Sequence, residues 1–123
     1  HLLVPEIIID TEITFSDVRI SLLKIINQME PFGPGNMRPV FITKNVKETG
    51  YSRILKEQHV RFVLQNNDVI LNGIGFNMAD KFPILTNGKP VDVVYSIDEN
   101  EWNGNITLQL KIIDLRLSVP STN

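Results

Sequence analysis

The hydrophobic pattern of this chain changes its period at one place, and that change limits the folds open to it. Ahead of the run Pro31-Phe32-Gly33-Pro34-Gly35-Asn36, apolar residues recur at helical spacing: Val18, Leu22, Ile25, Ile26 and Met29, with Arg19, Lys24 and Asn27 on other faces. From residue 39 to 117 apolar and polar residues alternate instead, the period of strands with one face buried. The Pro/Gly-rich run between the two regimes is a turn cluster and the natural module boundary. Its prolines favour a rigid corner joining helix to strand over a glycine-rich phosphate cradle, which would lead into a helix.

The first regime predicts an extended piece over 5–14 around Ile7-Ile8-Ile9, then a helix over 16–29. Thr14 and Asp17 sit where an N-terminal cap belongs, and Pro31 enforces the stop. Ile20 and Leu23 widen the apolar stripe, so the helix is expected either to lie between two bodies or to present a surface that a longer protein covers. The second regime predicts a strand over 40–46, bent on past Gly50 through 51–55, then strands over 59–65 and 69–76 joined at Asn66-Asn67-Asp68. A short helix over 77–83 follows, closed by Thr86-Asn87-Gly88. A strand over 91–97, a polar loop over 98–105 around Trp102 and a long strand over 106–117 complete the chain. The order β-β-β-α-β-β makes a mainly β protein. A five-stranded Greek-key barrel with a helix between strands three and four, the OB-fold, has this order, here preceded by an N-terminal linker helix. The expected division is 1–30 for the extended segment and linker helix, 31–117 for the OB-fold domain and 118–123 for a tail.

Catalysis finds little footing. The chain has no cysteine, which excludes a disulfide scaffold, a thiol nucleophile and a Cys-based metal site together. His59 is the one internal histidine, too few for a zinc site, and beside Arg61 on a strand it reads as a surface or ligand-contact residue. Asp98, Glu99 and Glu101 read as a solvated loop rather than a magnesium site. The fragment is therefore expected to be no enzyme and to carry no cofactor. Apolar runs are too short to span a bilayer and no signal peptide is visible, so a soluble cytoplasmic protein with no membrane partner is expected. The opening residue is His1 rather than Met, which reads as a piece of something longer.

Charge points to binding. The net charge is −2, but Arg38, Lys44, Lys47, Arg53, Lys56 and Arg61 lie in one window with only Glu48 and Glu57, and the acids concentrate elsewhere. Such segregation can focus an anion on one face, or be a chance cluster on exposed strands. Readers of single-stranded nucleic acid combine cations along a groove with aromatic faces on which bases stack. Arg53, Lys56, His59 and Arg61 fall on the strands of the usual OB binding face, Asn72 and Phe76 on the third strand, and Trp102 in the loop between the last two. Alternation sends Val60, Phe62 and Leu64 inward and His59 and Arg61 outward. Trp102 is equally a stacking platform or a plug over the barrel end; Phe76 is a stacking or a core residue; Tyr51 and Phe41 are ambiguous; Gln109 and Arg116 suit hydrogen-bonding or salt-bridging roles.

The block Pro31-Phe32-Gly33-Pro34-Gly35-Asn36 followed by Pro39-Val40-Phe41 resembles the opening of the C-terminal OB domain of the RecJ family of single-stranded-DNA-specific exonucleases. His59-Val60-Arg61-Phe62, Gly75-Phe76, the stretch Val91-Asp92-Val93-Val94-Tyr95, Asn100 with Trp102 and Gly104, Gln109-Leu110 and Asp114 with Arg116 continue the likeness in order, as does Ile9-Asp10 with Glu12 in the linker. Met37-Arg38 departs from it, since the family typically has Pro and an acid there. The resemblance implies an accessory domain that grips single-stranded DNA for a 5′-to-3′ exonuclease. The nuclease core, with its Mn or Mg, would lie outside this chain and be one of its partners. The alternative is a non-catalytic interaction module docking on that core or on another protein, motivated by the apolar helix stripe and the acidic balance.

Overall fold

The computed structural model describes residues 9–34 and 37–119. The parts of the expected extended segment before Ile9, the Gly35-Asn36 end of the turn cluster and the tail from Pro120 lie outside the described residues. The elements in chain order are β1 (Thr11–Glu12), a single 3-10 turn (Phe15–Asp17), α1 (Ile20–Asn27), β2 (Phe41–Glu48), β3 (Arg53–Leu55) and β4 (His59–Asn66). Then come β5 (Val69–Gly75), a 3-10 turn (Ala79–Lys81), α2 (Phe82–Leu85), β6 (Val91–Trp102) and β7 (Asn105–Leu117). The ladders β2–β4, β4–β5, β5–β7, β7–β6 and β6–β2 close a ring of five strands, with β1 and β3 added to β2 and β4 as short outer strands. All ring pairings are antiparallel except β5–β7. This is the five-stranded barrel of the OB-fold, with its helical insertion between the third and fourth ring strands.

Alternation fills the ring. Val60, Phe62 and Leu64 of β4, Val91, Val93, Tyr95 and Ile97 of β6, and Leu110 and Ile112 of β7 are buried in one cluster with Phe15, Leu23, Ile26 and Leu85. Opposite Phe62 and Val60, strand β5 offers glycines. A Cβ at Gly73 would sit 3.1 Å from Leu110, and one at Gly75 would lie 2.5 Å from Met78 Sδ and 2.7 Å from the Phe62 ring. Neither glycine is in the left-handed region, so their role is space.

Two buried polar groups tie the first strand to the barrel. Thr43 Oγ1 donates to Ile13 O (2.8 Å) and lies 2.6 Å from Tyr95 Oη. With the one threonine proton committed, Tyr95 is the donor in that pair. Burial, assisted by the charge of Asp17, pushes the Tyr95 hydroxyl up to about 12. The buried Asp92 carboxylate accepts from the Asn45 N–H (3.2 Å), Arg116 Nε (3.1 Å) and Ser118 Oγ (2.6 Å). It thereby holds the β2 bulge, where Asn45 is left-handed, and the end of β7. Arg116 is thus a salt-bridging residue, and Phe41 is core.

Four sequence expectations are corrected. The helix does not begin at residue 16: Thr14 and Asp17 cap a lone 3-10 turn, with the Asp17 carboxylate accepting the Thr14 N–H (3.0 Å). The Phe15 N–H is taken by Asn66 Oδ1 (3.0 Å), Val18 and Arg19 turn extended, and α1 starts at Ile20. Burial of Phe15 and Val18 against the barrel overrides the uniform helical period. The first long strand does not run through to residue 55. Glu48 accepts the N–H groups of Gly50 (2.6 Å) and Ser52 (3.0 Å), and Gly50 takes φ +95, building a corner between β2 and β3. Residues 98–105 are not a loop: β6 and β7 stay paired to Trp102↔Asn105, turned by Asn103-Gly104, both at positive φ. The short helix is displaced as well: residues 79–81 form a 3-10 turn and α2 covers only Phe82–Leu85, with Pro83 in its first turn, where a missing N–H costs nothing.

Gly75→Ala should cost about 1–3 kcal/mol by overpacking, read as a lower denaturant midpoint at unchanged slope; an unshifted midpoint would show that Met78 and Phe62 yield freely. The raised Tyr95 hydroxyl contributes stability that is fully present below pH 10 and is lost as pH rises toward 12. Tyr95→Phe should flatten stability in that alkaline window and cost about 1 kcal/mol at neutral pH.

Candidate nucleic-acid interface

The outward residues of the ring form rows across the strands. Arg53 on β3 is the register partner of Arg61 on β4, Arg61 of Ile74 on β5, Ile74 of Lys111 on β7, and Lys111 of Ser96 on β6. At the ordinary strand spacing of about 4.8 Å the row from Arg53 to Ser96 spans roughly 19 Å. All three cations are exposed, and none forms an ion pair among the described residues. Two arginines directly opposite each other repel. Arg53 uses one guanidinium nitrogen to donate to Gly50 O (2.9 Å) and Ser52 O (2.8 Å), which fixes the side chain and leaves the rest of the fork free.

Beside this row lies an aromatic pair. Phe76 is 55% exposed and meets the His59 ring edge-on, with centroids 5.4 Å apart. The pedestal beneath them is well tied. The Asn77 N–H donates to His59 Nδ1 (3.0 Å), the Gln58 amide bonds Asn77 Oδ1, and the Ala79 N–H donates to Gln58 O (3.1 Å). Asn77 is left-handed, as asparagine tolerates, which turns the chain sharply after Phe76. Because His59 accepts through Nδ1, its neutral ring presents Nε2–H as a donor. On the other side of the row stand exposed Asn72 and half-buried Gln109.

The structure thus brings together Arg53, His59, Arg61, Asn72 and Phe76. Lys56, left-handed in the exposed turn between β3 and β4, borders them. Trp102 stands apart. It is 75% exposed at the tip of the β6–β7 hairpin, so it plugs nothing, and it lies about 20 Å along the ribbon from Lys111. Tyr51 is likewise exposed, in the β2–β3 corner. The cationic window does not form one face. Arg38 donates to Ile97 O (2.7 Å) and sits 4.7 Å over the Phe32 ring, Lys44 pairs with Glu12 (3.4 Å), and Lys47 pairs in register with Gln65, four residues along β4 from Arg61. Lys111 is the residue that sequence reasoning missed. Its outward parity between Leu110 and Ile112 was legible, but its place in the row depends on the parallel β5–β7 pairing.

Away from the row, four acids stand in ion pairs: Glu12, Glu30, Asp92 and Asp114. Asp114 accepts from Lys81 Nζ at 2.8 Å. Burial alone would raise the Asp114 carboxyl, but the Lys81 and Leu115 hydrogen bonds and the Lys81 charge outweigh it and hold it below the usual carboxylate range. Among the described residues no group of three or more His, Asp or Glu side chains is disposed to hold a metal ion, and no helix is long and apolar enough to cross a membrane.

A closed five-stranded barrel in this strand order, with a helix between its third and fourth ring strands, defines an OB-fold domain. Residues 9–114 match the RecJ OB domain family, and the chain belongs to it. It is similar to the single-stranded-DNA-specific exonuclease RecJ of Bacillus subtilis, with 26% identity over 103 residues, covering 83% of this chain and 13% of the relative. The enzyme of the same name from Thermus thermophilus is 30% identical over 88 residues, covering 72% of this chain and 12% of that protein. The crystal structure of RecJ in complex with Mn2+ from Thermus thermophilus superposes with a TM-score of 0.60 at 26% identity, covering 84% of this chain and 14% of that one. The chain therefore spans about an eighth of the length of the curated relatives it matches.

Because the folded-state carboxyl of Asp114 is depressed, its contribution is present above the unfolded carboxylate pKa and is lost as pH falls through its own. Lys81→Ala should lower stability at neutral pH by about 0.2–1 kcal/mol, the exposed pair being screened. The difference from wild type should vanish in acid melts; a constant gap at all pH would refute the pairing as its source.

Proposed function

We propose that this chain is the accessory single-stranded-DNA-binding domain of a RecJ-like 5′-to-3′ exonuclease. It grips the strand while a nuclease core elsewhere in the longer protein cuts it. The observation that carries this reading is the row Arg53, Arg61 and Lys111, where cations stand along one line across the strands and none forms an ion pair among the described residues. Such a row costs stability unless an anionic polymer lies along it. Phe76, braced by His59, supplies a stacking face worth roughly 1–3 kcal/mol per base, and Asn72, Gln109 and the His59 Nε2–H supply hydrogen-bonding groups that any base can use. Lys56 and the exposed Trp102 extend the contact at the two flanking hairpins. The domain itself is not catalytic on this reading. A related RecJ carries Mg2+ or Mn2+ in its crystal structures; on this reading the metal and the cutting step belong to the core. The setting is cytoplasmic.

The exposed Ile20 and Ile25 of α1 favour a second role compatible with the first, in which this helix docks against that core.

Fluorescence anisotropy with a labelled single-stranded oligonucleotide tests the proposal. Three phosphates neutralised by Arg53, Arg61 and Lys111 should give a slope of log affinity against log salt of about −2. The pair Arg53→Ala and Arg61→Ala should flatten it to about −0.7, whereas Lys47→Ala should leave it unchanged. Affinity indifferent both to salt and to the arginines would refute the proposal.

A further inference from the structure

Beyond the Lys111 end of the row the barrel surface dips into a hollow of about 340 Å³. Met37 and Arg38, in the segment entering β2, form one wall; Ser96, Asp98, Lys111 and Ile113 form the other. Its chemistry is mixed in a particular way. Met37, 74% exposed, and the partly exposed Ile113 offer soft apolar contact, and a thioether packs well against a flat ring. Arg38, committed to Ile97 O and to the Phe32 ring, is a fixed wall rather than a free cation. Among the described residues Lys111 forms no ion pair, and Asp98 accepts the neighbouring Glu99 N–H through Oδ1 (2.9 Å), with Oδ2 not engaged there. Register and alternation put Ser96, Asp98 and Lys111 on the same side of the β6–β7 ribbon.

The occupant must satisfy all of these groups at once. A phosphate would suit Lys111 but be repelled by Asp98; a purely apolar segment would leave both charges unanswered. A nucleobase has an apolar face and polar edges, and its own phosphate lies beside it. The geometry points to this hollow as the seat of one unstacked nucleobase bearing an exocyclic amino group, cytosine before thymine. Met37 and Ile113 take its face, Asp98 accepts its amino N–H, and Lys111 holds the adjoining phosphate. The inference rests on the strand-binding reading above and extends it, giving the strand a fixed station where it leaves the Arg53–Lys111 row toward the linker that precedes the barrel.

Titration of the 123-residue chain with oligodeoxycytidylate and oligothymidylate, followed by amide chemical shifts so that weak binding is measured, tests it. Asp98→Ala should lower the cytosine-to-thymine affinity ratio about five-fold or more, the discrimination expected of a carboxylate accepting from a cytosine amino group. Met37→Ala should weaken both ligands about two- to ten-fold. Both positions are exposed, and thermal melts check that the variants fold. If the ratio and both affinities are unmoved in these variants while Arg61→Ala still weakens binding, the hollow holds no base and the strand-binding reading stands. If neither oligonucleotide shifts any amide of the wild-type chain, both fall.

Discussion

Strand β5 carries glycine at two successive inward positions, and the ring closes around that fact. Gly73 faces Phe62 across one ladder and lets β7 bring Leu110 in on the other; Gly75 leaves room for Met78 and the Phe62 ring. Side chains there would hold β5 away from its parallel neighbour, and the barrel would open at its one parallel seam. The same seam aligns Ile74 with Lys111, so the packing that closes the core also sets the register of the cations outside. Core and surface are coupled through two missing methyl groups.

The fold was legible wherever local signals and tertiary demands agreed. The period-2 stretch of β4 named its inward and outward residues correctly, with Val60, Phe62 and Leu64 buried and Arg61 exposed. The tight turn was read at Asn66-Asn67-Asp68 and falls there, with Asn66 still paired to Val69 and the turn itself made by Asn67-Asp68. Reading failed where one kind of signal masked another. The acids and Trp102 over 98–102 look like a solvated loop, yet Asn103-Gly104 is among the strongest local hairpin signals and carries the strands out into solvent. Uniform apolar spacing hid the break before α1, because Phe15 and Val18 belong to the barrel while Leu23 and Ile26 reach it from a separate helix. Cross-strand neighbours between β5 and β7 leave no mark in sequence at all, and so Lys111 was missed.

Charge illustrates the difference between composition and arrangement. The local excess of cations in sequence dissolves in three dimensions: Arg38 and Lys44 serve the fold, Lys47 stands away from the row, and only Arg53 and Arg61 of the window lie on the row. What replaces it is sparser but better directed. Asp92, Asp114, Glu30 and Glu12 pair with Arg116, Lys81, Arg38 and Lys44, while Arg53, Arg61 and Lys111 on the row carry no ion pair among the described residues. A net charge of −2 is no obstacle to gripping an anion when positive charge is gathered on one face.

The hairpin tip also gives the molecule an optical asymmetry. Its single tryptophan stands in water, remote from the packed interior, where the large aromatic groups are Tyr95 and phenylalanines. Melting the barrel changes the surroundings of that indole very little, so its emission is a poor gauge of cooperative unfolding. It is a sensitive gauge of whatever approaches the end of the β6–β7 ribbon, and the chain thus carries a native fluorophore that separates encounter at its outermost point from the integrity of its core.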